Sequence, residues 1–159
     1  MLLFTLGYEG LNLNQFLQLL DDNEVQTLID VRQRPLSRKP GFSQTALRAA
    51  LLVEGRRYIH MRALGCPQDV RDAFKTNDDW AQYTRDYKEY LETQAPLVQA
   101  LGRRAERERC CLMCFEADAN FCHRSFVAEA VREVSGATVA HLTRNLAPTG
   151  DLALLWAGR

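Results

Sequence analysis

The sequence predicts an α/β fold with three layers, in which helices cover both faces of a mainly parallel central sheet. Short apolar runs typical of buried strands alternate along the chain with amphipathic stretches at helical spacing. Gly, Pro and Asn residues separate these segments at the points where turns are expected. A chain of 159 residues buries one stable core more readily than two, so we expect a single domain over residues 1–159.

The first half of the chain alternates between predicted strands and helices. After the first apolar run, Asn12 is the expected cap of an amphipathic helix. Ser43 is the expected cap of the next helix, and Gly55 ends it. In chain order, the predicted strands of this half cover residues 2–6, 25–31 and 57–64.

The longest helical pattern covers residues 78–107, where Pro96 either kinks one helix or starts a second. Its apolar stripe is rich in aromatic residues, which we expect to pack in the core; the alternative is a surface on which bases stack. The aromatic residues of the stripe are Trp80, Tyr83, Tyr87 and Tyr90.

Two further strands are predicted toward the end of the chain. Residues 110–115 form a continuous apolar run, and a polar turn and an amphipathic helix ended by Gly136 follow it. Residues 138–142 are the last clear strand, and the run from Leu152 to Trp156 is too short to assign.

The composition argues against several classes of protein. Lys+Arg and Asp+Glu both number 20, and a formal net charge of zero argues against extensive binding to a nucleic-acid backbone. No apolar run approaches the roughly 20 residues that cross a bilayer, and the first residues lack the basic start of a signal peptide. Five cysteines, four of them between Cys110 and Cys122, make a poor disulfide framework. We therefore expect a cytoplasmic protein with free thiols and no membrane partner.

Asp30 and Arg32 lie at the end of the second predicted strand, where open parallel sheets bind ligands. Because side chains alternate along a strand, the two share one face, about 6.6 Å apart. The acid is expected to orient the arginine; the alternative is a structural carboxylate that holds a solvated arginine. Arg34, Arg38 and Lys39 add positive charge to the next loop, and water is the expected partner of Arg34 and Lys39. Arg32 and Arg38 are therefore candidates for binding an anion.

The cysteines of the fourth predicted strand are expected to pack rather than to bind metal. Cys111 and Cys114 are three residues apart, so on a strand they point to opposite faces and cannot share one ion. Glu116 differs from them, because it follows the strand directly, at the position of catalytic carboxylates in such folds.

Cys122 and His123 are predicted to lie in the first turn of a helix capped by Asn120. Free backbone N–H groups and the helix dipole favour an anion there, and with Arg124 they would lower the pKa of Cys122. The alternatives are that Cys122 only packs and that His123 caps and stacks instead of carrying a proton.

A zinc site built from Cys114, Glu116, Cys122 and His123 is a further alternative. Because the spacing of these residues matches no common zinc template, we predict neither a metal nor another cofactor.

Four strings, in this order and at this spacing, resemble the bacterial family known as domain of unknown function 488. They are Thr5-Leu6-Gly7-Tyr8-Glu9-Gly10, Asp30-Val31-Arg32-x-x-Pro35-x-Ser37-Arg38, Tyr58-Ile59-His60 with Leu64-Gly65, and Cys114-x-Glu116 followed by Cys122-His123-Arg124. The resemblance covers about residues 5–142 and implies a compact α/β fold. It also implies that Arg32, Ser37, Arg38, Glu116, Cys122, His123 and Arg124 belong to the family pattern.

Two residues need comment in the light of this resemblance. Tyr8, in the first string, joins the residues expected to contact the ligand. Cys66 stands where the family is expected to have a second glycine, so this chain departs from the pattern there.

The leading hypothesis is an enzyme that acts on a small anionic substrate, for which a nucleotide is one candidate. Cys122 would be the nucleophile or a thiolate ligand, and His123 or Glu116 would carry the proton. The clamp on the anion would consist of Arg32, Arg38 and Arg124. Ser37, Tyr8 and Asp30 complete the expected site. The Cys-x₅-Arg loop of cysteine phosphatases is absent, so no reaction is named.

Two other classes of function remain open at this stage. The same cations would suit a non-catalytic module that binds an anion or nucleic acid, for which steep salt dependence is expected. A structural protein stabilised by metal would carry stoichiometric zinc. The sequence predicts no oligomeric state.

Overall fold

The computed structural model describes residues 1–144 and contains one five-stranded sheet in which every neighbouring pair of strands is parallel. The strands are β1 (Leu2–Gly7), β2 (Thr27–Asp30), β3 (Arg57–His60), β4 (Cys110–Cys114) and β5 (Thr138–Leu142). Their spatial order is β3-β2-β4-β1-β5, which places β4 in the centre. The predicted run from Leu152 to Trp156 lies outside the described residues.

Within residues 1–144, six α-helices cover the sheet, as the predicted three-layer α/β class requires. They are α1 (Leu13–Asp22), α2 (Gln44–Val53), α3 (Gln68–Asn77), α4 (Trp80–Glu92), α5 (Ala95–Ala105) and α6 (His123–Ser135). Helices α1 and α2 contribute buried residues to the core on one face of the sheet, and α3 to α6 contribute theirs to the core on the other. The predicted fold class is confirmed.

Strand β4 contributes to both cores because its side chains alternate. Cys110, Leu112 and Cys114 pack on the side of α3 to α6, whereas Cys111 and Met113 pack on the side of α1 and α2. Cys111 and Cys114 therefore point to opposite faces, as the sequence predicted, and cannot bind the same ion.

The aromatic stripe of α4 packs in the core. Tyr83 and Tyr87 are buried against the sheet. The Tyr87 hydroxyl donates to the carbonyl of Leu64 at 2.6 Å, and the Tyr90 hydroxyl donates to that of Ala63 at 2.8 Å. These bonds satisfy two loop carbonyls and fix the segment after β3 to α4.

The structure shortens one predicted strand, adds a helix that was not predicted, and decides between the two alternatives for Pro96. The third strand ends at His60 rather than at residue 64, because the chain tightens into a 3₁₀ turn over Arg62–Leu64 that buries Leu64. Helix α3 was not predicted, since most of its residues are polar and it buries only Val70. Pro96 lies in the first turn of α5, so it starts a new helix instead of kinking α4.

No helix within residues 1–144 is long and apolar enough to span a membrane.

Candidate functional site

A cleft of about 390 Å³ opens at the carboxyl ends of β1, β2 and β4, and we call it the strand-end cleft. Arg32 and Glu116 both line it, which confirms that these two residues lie at the same end of the sheet. Three further cations line its wall: Arg34, Arg71 and Lys75. The aromatic residues around it are Tyr8, Phe74, Trp80, Tyr83, Phe115 and Phe121.

Asp30, the last residue of β2, and Arg32, two residues beyond it, form a buried ion pair. Arg32 donates from Nε to Asp30 Oδ1 at 2.9 Å and from Nη2 to Oδ2 at 2.6 Å. Its Nη1 donates to the hydroxyl of Tyr8 at 3.2 Å and to the carbonyl of Phe42 at 2.9 Å. Burial alone lowers the pKa of Arg32, but the hydrogen bonds and charge of Asp30 raise it above its ordinary value. Arg32 is thus a permanent cation whose charge Asp30 compensates.

Arg124 is fully buried and does not line the cleft. Its guanidinium donates from Nε to Thr5 Oγ1 at 3.2 Å, from Nη2 to the carbonyl of Ala117 at 3.1 Å, and from Nη1 to the carbonyl of Glu116. Arg124 therefore holds the turn after β4 against β1, and this backbone contact leaves it little capacity to clamp a ligand.

Ser37 and Arg38 also lie outside the lining of the cleft. The Ser37 hydroxyl accepts from the backbone N–H of Lys39 at 3.1 Å, which stabilises the loop, and Arg38 is exposed. From the same loop the structure places Arg34 at the cleft instead. A contribution of Arg38 to ligand binding stays a prediction.

Glu116 is positioned by close backbone packing at the end of β1. The ladder between β1 and β4 continues beyond the strands, since the N–H of Tyr8 donates to the carbonyl of Cys114 at 3.2 Å. Gly7 has no side chain, and a Cβ on it would overlap the carbonyl oxygen of Glu116. Only glycine permits this close approach, so Gly7 determines the position of the Glu116 backbone, from which the carboxylate side chain extends.

Cys114, Glu116 and His123 line the floor of the strand-end cleft, whereas Cys122 is buried beside them and does not line it; we call these four residues the thiol cluster. One ligand atom each from Cys114, Cys122 and His123 lie within 4.8 Å of one another. The Cys122 thiol donates to Glu116 Oε2 at 3.0 Å, and His123 Nε2 lies 2.9 Å from the carbonyl oxygen of Val31. The structure thus brings together all three residues predicted to be catalytic, and it adds Cys114.

The predicted cap of α6 was wrong. Asn120 belongs to a 3₁₀ turn over Ala119–Phe121 that Asp118 caps, and Cys122 itself is the cap residue of α6. Its thiol makes no capping bond and is directed to Glu116 instead. His123 is the first helical residue, so the two side chains still lie at the positive end of the helix.

Burial and mutual contact shift the pKa values of the thiol cluster. Burial alone raises the pKa of Cys122, but its close contacts with Cys114 and His123 and the charges of His123 and Arg124 hold it well below its ordinary range. The contact with Cys122, together with burial, raises the pKa of Cys114 well above its ordinary value. Burial and then the charge of Cys122 raise the pKa of Glu116. Cys122 is therefore the thiol of the cluster that loses its proton more readily than Cys114.

A family model described as "Domain of unknown function DUF488" matches residues 12–131. The chain belongs to this family. No curated protein and no solved structure matches the chain. The matched range contains the whole thiol cluster and all four cations of the strand-end cleft, whereas Gly7 and Tyr8 precede it.

Sequence reasoning missed several residues of this DUF488 site. Arg71, Phe74 and Lys75 lie on α3, which was not predicted, so no signal connected them to the strand ends. Cys66 also lines the cleft, and burial raises its pKa to about 11. Its unexpected occurrence in place of a family glycine was the one signal that pointed to it.

We expect Gly7→Ala to displace Glu116 and to destabilise the fold by about 1–3 kcal/mol, because the added methyl group overlaps the backbone of the turn. The free energy of unfolding, measured by urea denaturation, tests this. Gly102→Ala is the matched control: its Cβ would lie 3.3 Å from Ser135 Cβ, and alanine favours the helix, so a change below about 1 kcal/mol is expected. Equal effects of both substitutions would contradict the close approach at Gly7.

We expect Asp30→Asn to cost about 3–5 kcal/mol in the free energy of unfolding, because it leaves the buried guanidinium of Arg32 without a counter-charge. Glu129→Gln, which removes the acidic partner of Arg132 on the surface of α6, should cost less than about 1 kcal/mol. A loss near 1 kcal/mol for Asp30→Asn would show that water solvates the guanidinium of Arg32, so that its charge does not depend on Asp30.

Proposed function

We propose that this protein is an enzyme that binds a small anionic substrate in the strand-end cleft and acts on it with Cys122, His123 and Glu116. One observation carries the proposal: the cations of the cleft wall share one cleft with Cys114, His123 and Glu116, and the buried thiol of Cys122 lies in contact with this group. Binding and reactive groups thus share one concave site, which is the arrangement expected of an active site.

Arg71 is the cation best suited to hold the anion. Its Nη2 donates to the side-chain oxygens of Gln33 at 2.9 Å and Gln68 at 2.5 Å, both of them neutral groups. Its Nε is buried and has no hydrogen-bond partner within the described residues. Among those residues no carboxylate forms an ion pair with Arg71, so its charge is uncompensated, unlike that of Arg32. An anionic ligand would supply both the missing acceptor and the missing charge.

The rim of the cleft favours a ligand with a flat apolar part. Leu36, Phe115 and Phe121 line the cleft although they are 75%, 45% and 61% exposed. Trp80 stacks on Tyr83 with ring centroids 4.7 Å apart, which adds a rigid aromatic surface. Exposed apolar side chains beside a polar cleft mark binding sites, and aromatic rings stack on bases. A nucleotide-like anion therefore fits this site better than inorganic phosphate.

Cys122 and Glu116 supply the reactive groups. Their hydrogen bond of 3.0 Å lets a proton pass between sulfur and carboxylate. A thiolate at this position serves as a nucleophile or as a metal ligand. His123 is held by the carbonyl of Val31, so its ring is oriented before a substrate arrives. The sequence-based roles of the three residues are kept in this proposal, whereas the clamp becomes Arg34, Arg71 and Lys75.

We expect AMP, and more weakly inorganic phosphate, to raise the melting temperature of the protein by mass action, and Arg71→Gln to remove most of that shift. Arg38→Gln is the matched control, because Arg38 is an exposed arginine outside the lining of the cleft. Differential scanning fluorimetry measures both. Loss of the shift in Arg38→Gln alone would return the clamp to the loop after β2, and no shift in the parent protein would remove the anion site.

The catalytic part of the proposal needs a test of turnover. The parent protein is incubated with a panel of nucleotides and small phosphate and carboxylate esters, and products are identified by mass spectrometry. Glu116→Gln should slow conversion by about 10²–10⁴-fold while the AMP-induced melting shift is kept. Binding without conversion, or a stronger response to oligonucleotides that falls steeply with salt, would favour the non-catalytic module.

A further inference from the structure

We infer that Cys114, Cys122 and His123 bind a zinc ion at the floor of the strand-end cleft, with a fourth coordination position directed toward the substrate. This inference rests on the proposed function, because it names the group that would supply the chemistry of the proposed active site. The spacing of these residues along the chain predicted no metal, because they come from the end of one strand and the start of the next helix.

The three donors are of the right type and at the right separation. Zinc binds thiolate sulfur at about 2.3 Å and imidazole nitrogen at about 2.0–2.1 Å, so tetrahedral ligand atoms lie roughly 3.6–3.8 Å apart. The sulfur of Cys114 lies 3.8 Å from Nδ1 of His123, and all three donor atoms fall within 4.8 Å. Small rotations of the side chains therefore close the site. Two sulfur donors exclude the hard cations Mg²⁺ and Ca²⁺.

The hydrogen bond of His123 to the backbone provides a second, independent observation. Its Nε2 lies 2.9 Å from the carbonyl oxygen of Val31, and a carbonyl only accepts, so Nε2 carries the proton. In the neutral ring Nδ1 then keeps its lone pair and is free to bind a metal, and the sulfur of Cys114 lies 3.8 Å from Nδ1 and 3.9 Å from Nε2. Histidine ligands of metals are oriented by such a bond from the opposite ring nitrogen.

The scaffold around the three donors is rigid. Cys114 ends β4, the central strand, and Cys122 and His123 begin α6. All three are buried. The positive end of α6 favours thiolates, and two thiolates balance the charge of Zn²⁺. A preformed, buried donor set of this kind is what a tightly held ion requires.

The fourth coordination position of the zinc ion is inferred from the side chains that line the cleft. Cys114 and His123 line it, and Glu116 lines it beside them while bonded to Cys122. Three protein ligands and one free position are typical of catalytic zinc, whereas structural zinc has four protein ligands. Water at the free position would lose its proton to Glu116 and become hydroxide, and an anionic oxygen of the substrate could replace it.

The test is metal content and metal affinity under reducing conditions. Protein purified without added metal should hold about one zinc per chain by mass spectrometry of the elements, and metal-free protein titrated with Co²⁺ should show thiolate-to-cobalt charge-transfer absorption. Cys114→Ser and Cys122→Ser should each lower zinc affinity by more than the roughly 10–100-fold that loss of an outer-shell partner causes. Cys66→Ser is the matched control, because its thiol lines the same cleft outside the donor set.

The cobalt titration of the unmodified chain keeps the test independent of whether the serine variants fold. Failure of folded, reduced, unmodified protein to bind either Zn²⁺ or Co²⁺ would overturn the metal site, as would equal metal loss in Cys66→Ser. The two proposals fail separately. An AMP-induced melting shift in protein that binds no metal would overturn the zinc site alone and leave Cys122 as a free thiolate, whereas metal binding without any anion response would overturn the proposed function alone.

Discussion

The buried guanidinium of Arg124 is the interaction on which the site depends. It joins the side chain of Thr5 on β1 to two carbonyls of the turn after β4, and Thr5 also bonds to Nδ1 of His141 on β5 at 2.7 Å. Because Arg124 itself belongs to the first turn of α6, a single side chain fixes the relative positions of two strands, one turn and one helix. Arg124 therefore helps to set the position of Glu116 relative to Cys122.

The buried arginines Arg32 and Arg124 stabilise the fold, so the binding of a ligand falls to other cations. The charge of Arg32 is matched by Asp30, and the hydroxyl of Tyr58 also donates to that carboxylate at 2.5 Å. Arg124 donates two of its three hydrogen bonds to backbone carbonyls and the third to the hydroxyl of Thr5. Arg71, by contrast, lies among neutral partners on a polar helix. The cations best able to hold a ligand are therefore those whose charge is not already matched by groups of the core.

Much of the fold could be predicted because the spacing of apolar residues along the chain shows which side chains are buried. The alternation in β4 placed Cys111 and Cys114 on opposite faces, and the structure confirms it. Helix α3 escaped prediction because it buries a single residue, and Arg71 and Lys75 escaped with it. Burial patterns cannot reveal a helix whose role is to carry polar side chains over a cleft.

The site was predictable by residue type but not by arrangement. Glu116, Cys122 and His123 were expected together because they follow one strand and begin one helix. Their contact with Cys114 depends on where the chain turns, and the 3₁₀ turn over Ala119–Phe121 moved the start of α6 from the predicted cap at Asn120 to Cys122. A shift of two residues rotates a side chain by about 200° around a helix, so spacing alone could not show which donors converge.

The charges of the cleft connect the two proposals. Cations on its wall attract an anion, yet thiolate and carboxylate groups at its floor repel the same anion once it approaches the reactive atoms. In the low dielectric of a buried site this repulsion is stronger than in water, so the floor needs a neutralising charge before an anionic substrate can reach it. Without a metal, a proton on Glu116 meets part of this need, because burial raises the pKa of that carboxyl group. The proposed zinc ion, held by two thiolates, would meet it fully and would add a position that an anionic oxygen can occupy.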